Sequence, residues 1–272
     1  MKLFTFGDSW TEGVGADISK ESKTNILEEK TKIRSQFCWP KYLSELIGID
    51  LLNNGAGGCS NTTIFELVSH SIKEGLIQRD DFVVIMWSSY LRDDVPYFPK
   101  GDWHLWGERY KAKKYIYDPI FSKNGNNSPL YDRAISKYRE YFINNLYSDV
   151  YYNIVNQNYV LFLQYMFEEL GVRYLFCDAF DSLIKYNLPS DINKTKLINQ
   201  DHYWGLQKTT FKDLLIKTNR KDVWEDNKLF SEEMGKHPSK IGYKVIADEL
   251  YHWICEKNLL NYPLSQSPNI II

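Results

Sequence analysis

A serine and a histidine, the residue types of a nucleophile and its general base, stand near opposite ends of the sequence. Ser9 closes a Gly-Asp-Ser triplet after an apolar run, and His237 opens a His-Pro-Ser triplet before a helical pattern. A serine at a strand-to-helix turn projects its hydroxyl over the sheet edge, beside backbone N–H groups that can hold an oxyanion. Folded together, the pair would perform nucleophilic acyl transfer. Each triplet alone also fits a plain helix start, with Ser9 as cap and His237 as a solvated side chain.

A glycine-rich stretch, Asn-Asn-Gly-Ala-Gly-Gly-Cys-Ser-Asn-Thr, occupies residues 53–62. Glycine lets the backbone approach a ligand closely and direct an N–H group at it. Gly58 is therefore a candidate donor to an oxyanion. The same composition also fits a flexible turn between a strand and a helix.

In their order and spacing, the three stretches resemble the SGNH (GDSL-type) hydrolase family. The shared pattern is GDS near the N-terminus, then N-x-G-x-x-G, then HPS-x-x-G-Y before a final helix. Trp39-Pro40 ahead of a leucine-containing helix is also similar to that family. The resemblance covers a framework of residues 1–92 and 235–257 and says nothing about the chain between them.

The resemblance implies a fold and a chemistry. The fold is a three-layer α/β/α sandwich with a five-stranded parallel sheet, the flavodoxin-like SGNH hydrolase fold. Ser9 matches the nucleophile, His237 the base, and Gly58 a glycine whose N–H joins that of Ser9 in the oxyanion hole. The implied reaction is serine-dependent hydrolysis of a carboxylic ester, with O-deacetylation of a carbohydrate as the leading case.

The sequence departs from the family after the third predicted strand. The family has G-x-N there, with the asparagine side chain as an oxyanion donor. A direct overlay puts Ser88 at the glycine and Tyr90 at the asparagine. The candidates to replace the missing donor are Ser88, Ser89, Tyr90 and Arg92.

A second departure concerns the acid that orients the histidine. The family has aspartate three residues before the histidine, where this chain has Met234. Glu233 is the first candidate, because Gly235 permits an unusual turn and glutamate reaches further than aspartate. A backbone carbonyl could orient the ring instead, or the site could work as a Ser–His dyad. The other carboxylate candidates are Glu232, Asp178 and Asp201.

Strand and helix patterns alternate along the framework, which predicts a parallel sheet in one α/β domain of residues 1–272. The predicted strands are residues 2–6, 49–52, 82–87 and 172–177, and the predicted helices are residues 39–48, 61–75, 151–170 and 239–257. A fifth strand is expected before His237, with residues 228–231 as its best position.

Two aromatic stretches, residues 93–149 and 180–234, interrupt the alternation and are predicted to be insertions at the ligand-binding edge of the sheet. Their rings either stack on sugar faces or form small local cores. Candidate substrate contacts are Asp8, Trp10, Arg92, Trp103 and Trp204, with Trp106, Tyr115 and Trp224 as further ring candidates.

Bulk properties exclude several function classes. A net charge of −2 gives no field for binding nucleic acid or an anionic membrane. The four cysteines form no CxxC pair, so neither a metal site nor a disulfide framework is expected, and no cofactor is predicted. The chain lacks a signal-peptide pattern and a run of 18 apolar residues, which predicts a cytoplasmic protein, or part of a virion if the source is a phage.

A glycan or small-molecule ester is the expected partner, and the oligomeric state is left open. Two other functions fit the departures. The chain could be a glycan- or protein-binding scaffold that has lost activity, or a sugar O-acyltransferase.

Overall fold

A four-stranded parallel sheet carries the fold. The structure is a computed structural model, and it describes residues 1–16, 27–89, 94–95, 114–115, 145, 148–182, 192–218, 223 and 237–261. The elements in chain order are β1 Leu3–Gly7, α1 Ser9–Glu12, α2 Leu27–Phe37, α3 Trp39–Ile47, β2 Leu51–Gly55, α4 Asn61–Lys73, β3 Phe82–Trp87, β4 Asp94–Val95, β5 Lys114–Tyr115, α5 Asp149–Leu170, β6 Arg173–Asp178, α6 Phe211–Lys217 and α7 Lys240–Glu256, with short 3-10 helices at Thr195–Leu197 and Gln200–His202.

The strand order is β2-β1-β3-β6, and all three pairings are parallel. β1 therefore lies inside the sheet, between β2 and β3. Parallel strands place their carboxyl ends at one edge, where ligands bind in open α/β sheets. Gly7 is opposite Gly55 and Trp87 is opposite Asp178 at that edge. The chain segments that follow these four residues therefore emerge side by side.

Side chains of the strands alternate between two apolar clusters, as the period of two in a strand requires. On β3, Phe82, Val84 and Met86 belong to one cluster and Val83, Ile85 and Trp87 to the other. Residues of α3, α6 and α7 complete the first cluster, and residues of α4 and α5 complete the second. All six residues of β3 are buried, which explains why its sequence is a continuous apolar run.

The second strand extends further than predicted. β2 continues through Asn53 and ends at Gly55, although the two asparagines predicted a break after residue 52. The side chain of Asn53 explains the extension, because its Oδ1 accepts from Thr5 Oγ1 at 3.1 Å and its Nδ2 donates to the Thr11 carbonyl at 2.9 Å. Neighbouring segments thus satisfy a polar side chain that usually favours turns.

The four predicted helices lie where the sequence pattern placed them. The N-cap of α4 is Ser60, whose Oγ accepts from the Thr63 N–H at 3.2 Å. Asn61 is the first helical residue, and its side chain has another contact described below. The helices α2 and α6 were not predicted, and α6 lies inside the second expected insertion.

The fifth strand predicted at residues 228–231 falls outside the described residues. Within the described part of the chain the main sheet has four strands, and an isolated parallel bridge joins Tyr203 to Phe176 on β6. The Trp204 N–H also donates to the Phe176 carbonyl at 2.9 Å. A piece of the second expected insertion therefore lies along the edge of β6. No helix among the described residues is long and apolar enough to cross a membrane.

Candidate active site at the carboxyl edge of the sheet

Ser9 begins a one-turn helix directly beyond β1. Asp8 caps this helix, because its Oδ1 accepts from the Trp10 N–H at 2.9 Å. The cap fixes the chain direction at the point where β1 ends, so the Ser9 side chain is held at the carboxyl edge of the sheet. Ser9 is 7% exposed, and its carbonyl accepts from the N–H groups of Gly13 and Val14.

His237 stands just before α7 and contacts the serine. Its Nε2 lies 3.0 Å from Ser9 Oγ, across 228 residues of sequence. Ser239 caps α7 by accepting from the Gly242 N–H at 3.2 Å, and its own N–H donates to the Val223 carbonyl at 2.9 Å. These bonds hold the loop from which the imidazole reaches the serine. The distance is that of a hydrogen bond between a nucleophile and its general base.

The glycine-rich turn lies beside the serine. It begins with the Ala56 N–H donating to the Gly7 carbonyl at 3.0 Å, which joins the turn to the end of β1. Gly58 is buried and has a φ of 78°, a left-handed conformation that glycine adopts without strain. A Cβ built on Gly57 would lie 4.0 Å from Ser9 Cβ. The turn therefore lies next to the Ser9 side chain.

Ser88, a candidate oxyanion donor, has a different partner. Its Oγ donates to Asp8 Oδ2 at 2.7 Å, and both residues are fully buried. Asn61 fixes the Ser88 backbone from both sides, with Oδ1 accepting from its N–H at 2.8 Å and Nδ2 donating to its carbonyl at 3.1 Å. A hydroxyl has one proton to donate. The Ser88 hydroxyl therefore supports the cap of the nucleophile helix and does not serve as the oxyanion donor.

The same reasoning applies to Ser89. Its Oγ donates to Asp181 Oδ2 at 2.9 Å, which joins the segments that follow β3 and β6. Its proton is thus also directed at a carboxylate. The two remaining candidates for the missing donor, Tyr90 and Arg92, lie outside the described residues.

The carboxylates proposed to orient His237 are in different situations. Glu233 and Glu232 lie outside the described residues. Asp178 is fully buried, and its Oδ1 accepts from the Tyr203 hydroxyl at 2.8 Å. Burial, reinforced by the negative charge of Asp178, holds the pKa of Tyr203 well above its usual value. Asp201 forms an ion pair with Lys257 at 3.2 Å and its side chain is 65% exposed.

Three proposed substrate contacts are buried in this structure. Asp8 is fully buried and Trp10 is 1% exposed, with its ring in a T-shaped contact 4.7 Å from Phe180. Trp204 is 3% exposed and stacks on Phe211 at a centroid distance of 4.0 Å. These rings belong to the apolar core and cannot contact a substrate as placed, which favours the alternative of local packing. Trp103, with Trp106 and Trp224, lies outside the described residues.

The sequence did not indicate two charged residues that meet at the end of the Ser9 helix. Glu12 Oε2 accepts from the Gly57 N–H at 2.6 Å, and Glu12 Oε1 accepts from Arg34 at 2.7 Å. The spacing held a signal for Glu12, because a residue three positions after Ser9 shares its face on a helix. Arg34 could not be predicted as a partner of Glu12, since no sequence pattern indicates that α2 contacts this helix. Among the described residues, no cluster of three histidine, cysteine or acidic side chains could bind a metal ion.

The fold and the site together define a mixed α/β protein with a serine–histidine pair at the carboxyl edge of a parallel sheet. The chain belongs to the family described as "Family of unknown function (DUF6071)", whose model matches residues 20–194, more than half of the 272 residues. Ser9 and His237 both lie outside the matched span.

No curated protein matches the sequence. Among solved structures, the chain is similar to a "putative lipolytic protein of G-D-S-L family" from Desulfitobacterium hafniense. The two are 13% identical, the match covers 93% of this chain and 98% of the other, and the TM-score is 0.32.

Proposed function

We propose that the protein is a serine esterase of the SGNH type, with Ser9 as nucleophile and His237 as general base. The observation that carries the proposal is the 3.0 Å contact between His237 Nε2 and Ser9 Oγ. Two segments at opposite ends of the chain converge there, each held by its own helix cap. A histidine that was only a solvated surface side chain would not be expected to contact this serine, whose position a buried capping aspartate fixes.

The proposed reaction proceeds in two halves. Ser9 Oγ attacks the ester carbonyl carbon while its proton passes to His237 Nε2. The carbonyl oxygen becomes an oxyanion, which the backbone N–H groups of Ser9 and Gly58 stabilise. His237 then gives the proton to the leaving alcohol, and an acyl-Ser9 intermediate remains. Water deprotonated by His237 attacks that intermediate, which releases the acid and restores the hydroxyl.

A third group must orient the imidazole. A neutral ring that presents an unprotonated Nε2 to Ser9 carries its proton on Nδ1, and that N–H needs an acceptor. Glu233 remains the proposed acceptor, with a backbone carbonyl as the alternative. Asp201 is a weaker candidate than the sequence indicated, because its exposed carboxylate pairs with Lys257.

We extend the proposal to the whole chain as one SGNH-hydrolase-like domain, a three-layer sandwich with a fifth strand beyond β6. The parallel bridge between Tyr203 and Phe176 supports a further sheet position at that edge. The proposed substrate is an O-acetylated carbohydrate. It would bind at the carboxyl edge of the sheet, beside the two expected insertions of residues 93–149 and 180–234. Tyr90 or Arg92 would supply the third oxyanion donor.

Labelling with a fluorophosphonate tests the nucleophile. The wild type should react covalently and hydrolyse p-nitrophenyl acetate, whereas Ser9→Ala should do neither. His237→Ala should lose most of both activities, since removing one triad member leaves only a small residual rate. Ser35→Ala, at an exposed serine on α2, is the matched control and should behave as wild type.

Product analysis separates the proposed activity from its alternatives. Incubation with an acetylated oligosaccharide should release free acetate. Transfer of the acetyl group to an added sugar at the expense of acetate would indicate an O-acyltransferase. A folded wild type that neither labels nor turns over an ester would contradict the esterase and favour a binding scaffold.

A further inference from the structure

Glu12, the last residue of the helix that begins at Ser9, is half-buried and joins that helix to two other segments. Glu12 lies three residues after Ser9 in α1, so both side chains share one face of the turn. Its carboxylate is fully engaged, with Oε2 accepting from the Gly57 N–H at 2.6 Å and Oε1 from Arg34 at 2.7 Å. The side chains of Arg34 and Glu12 are 18% and 30% exposed. Both bonds are charge-assisted, the stronger class of hydrogen bond.

The turn that Glu12 holds is intrinsically free to rotate. Gly57 and Gly58 are consecutive glycines, and glycine loses more conformational freedom on folding than any other residue. An N–H group aimed at an oxyanion must be fixed in advance to contribute fully. The Glu12 bond to Gly57 supplies that restraint one residue before Gly58. A Cβ on Gly57 would lie only 2.6 Å from Glu12 Oε2, so a larger residue there would displace the carboxylate.

We propose that Glu12, itself held by Arg34, is a positioning residue that fixes the Gly57–Gly58 turn for oxyanion stabilisation at Ser9. The inference rests on the proposed esterase function. Glu12 does not touch the reacting atoms and moves no proton. It acts by joining the helix that carries the nucleophile to the turn that carries the N–H donor, so that the two move as one unit. Arg34 extends this connection to α2.

Steady-state kinetics with two substitutions at one position test the proposal. Glu12→Ala removes the acceptor for the Gly57 N–H, and kcat should fall about 10- to 100-fold while KM stays within about twofold. Glu12→Gln keeps an amide oxygen that can accept the same bond, so it should recover most of kcat. Arg34→Met should give an intermediate loss. The control is Glu45→Ala, which removes an exposed ion pair with Lys41 on α3 and should leave kcat unchanged.

Hydrogen exchange supplies a readout that does not depend on activity. Peptides that contain Gly57 should exchange faster in Glu12→Ala than in wild type, with protection restored in Glu12→Gln. A Glu12→Ala variant with wild-type kcat and wild-type exchange would overturn the proposal. So would a Glu12→Gln variant as slow as Glu12→Ala with unchanged exchange, since charge would then matter and restraint of the turn would not.

The two proposals fail in distinguishable ways. If wild type does not label at Ser9, the esterase assignment fails on its own. The exchange measurement still decides the role of Glu12 in that case. Faster exchange at the turn in Glu12→Ala would support the positioning contact, and unchanged exchange would contradict it.

Discussion

At the scale of single residues, Ser88 holds the aspartate that caps the helix of Ser9. Ser88→Ala removes the donor to Asp8 Oδ2 and leaves a fully buried carboxylate with one hydrogen bond fewer. We expect a loss of about 1–3 kcal/mol in the free energy of unfolding, measured by urea denaturation, together with a lower kcat. Ser89→Ala is the control, because its partner Asp181 is only partly buried, and it should cost less stability. Equal losses in the two variants would show that the buried Asp8 contact is unimportant.

Gly58 has a left-handed backbone conformation and is a proposed oxyanion donor. At a φ of 78° an alanine costs about 1–2 kcal/mol of strain. Displacing the N–H donor should also lower kcat by about 10²-fold or more. Gly75→Ala is the matched control, since Gly75 has a φ of 66° and open space around it. It should lose comparable stability in thermal unfolding yet retain kcat. Full turnover in Gly58→Ala would remove Gly58 from the oxyanion hole.

The sequence indicated which residue types could react but not how each proton is shared. Ser88 and Ser89 were equal candidates for the missing donor, because their side chains are identical. Only the fold shows that both hydroxyls donate to carboxylates, Ser88 to Asp8, which caps α1, and Ser89 to Asp181 beyond β6. The amide of Asn61, which holds Ser88 at both backbone groups, carries no local signal beyond that of a helix start.

At the scale of elements, the last helix aligns the histidine with the serine through one tyrosine. The Tyr243 hydroxyl on α7 donates to the Val14 carbonyl just beyond α1 at 2.6 Å. Tyr243→Phe should cost about 0.5–1.5 kcal/mol of stability and lower kcat, because α7 loses its direct connection to the segment that follows α1. Tyr251→Phe on the same helix removes a hydroxyl at a partly exposed position. We expect kcat to be unchanged there, and an equal loss in both variants would contradict the alignment role.

Element positions were predictable where the period of the apolar residues is strong. β3, α3 and α7 match their patterns because burial on one or both faces leaves a repeating signature. β2 was misplaced at its end because Asn53 and Gly55 favour turns locally, and long-range bonds to Thr5 and Thr11 override that preference. The bridge of Tyr203 to Phe176 has no periodic signal at all, since a single residue makes it.

At the scale of the whole molecule, the geometry of the site depends on closing the chain over 228 residues between Ser9 and His237. No local sequence pattern indicates a contact between residues so far apart. In the sequence, only the resemblance to the SGNH hydrolase family indicates that the two lie together. The sheet makes the meeting possible, since β1 lies between β2 and β3 and α7 packs against the same cluster as α3. The contact between Ser9 and His237 therefore exists only when the whole chain is folded, and unfolding separates the two residues.

The pH dependence of stability has a source in His202. This histidine is 5% exposed and its ring contacts that of Tyr174 in a tilted arrangement, with Nδ1 2.9 Å from the Tyr174 carbonyl. Burial lowers the pKa of His202, and it outweighs the opposing effects of the Tyr174 carbonyl, Glu168 and Asp201. The unfolded chain therefore binds a proton at a higher pH than the folded one, so stability present above about pH 6.5 is lost as the pH falls.

Urea unfolding between pH 8 and pH 5 measures this effect. The free energy of unfolding of wild type should fall below pH 6.5, with at most about 1.4 kcal/mol per pH unit arising from His202. His202→Gln should show a shallower dependence, because the titrating ring is gone. Ile198→Ala, which removes packing from a buried residue nearby in sequence, should lower stability at every pH and keep the wild-type slope. A His202→Gln curve parallel to wild type would mean that the imidazole is as easily protonated in the folded protein as in the unfolded chain.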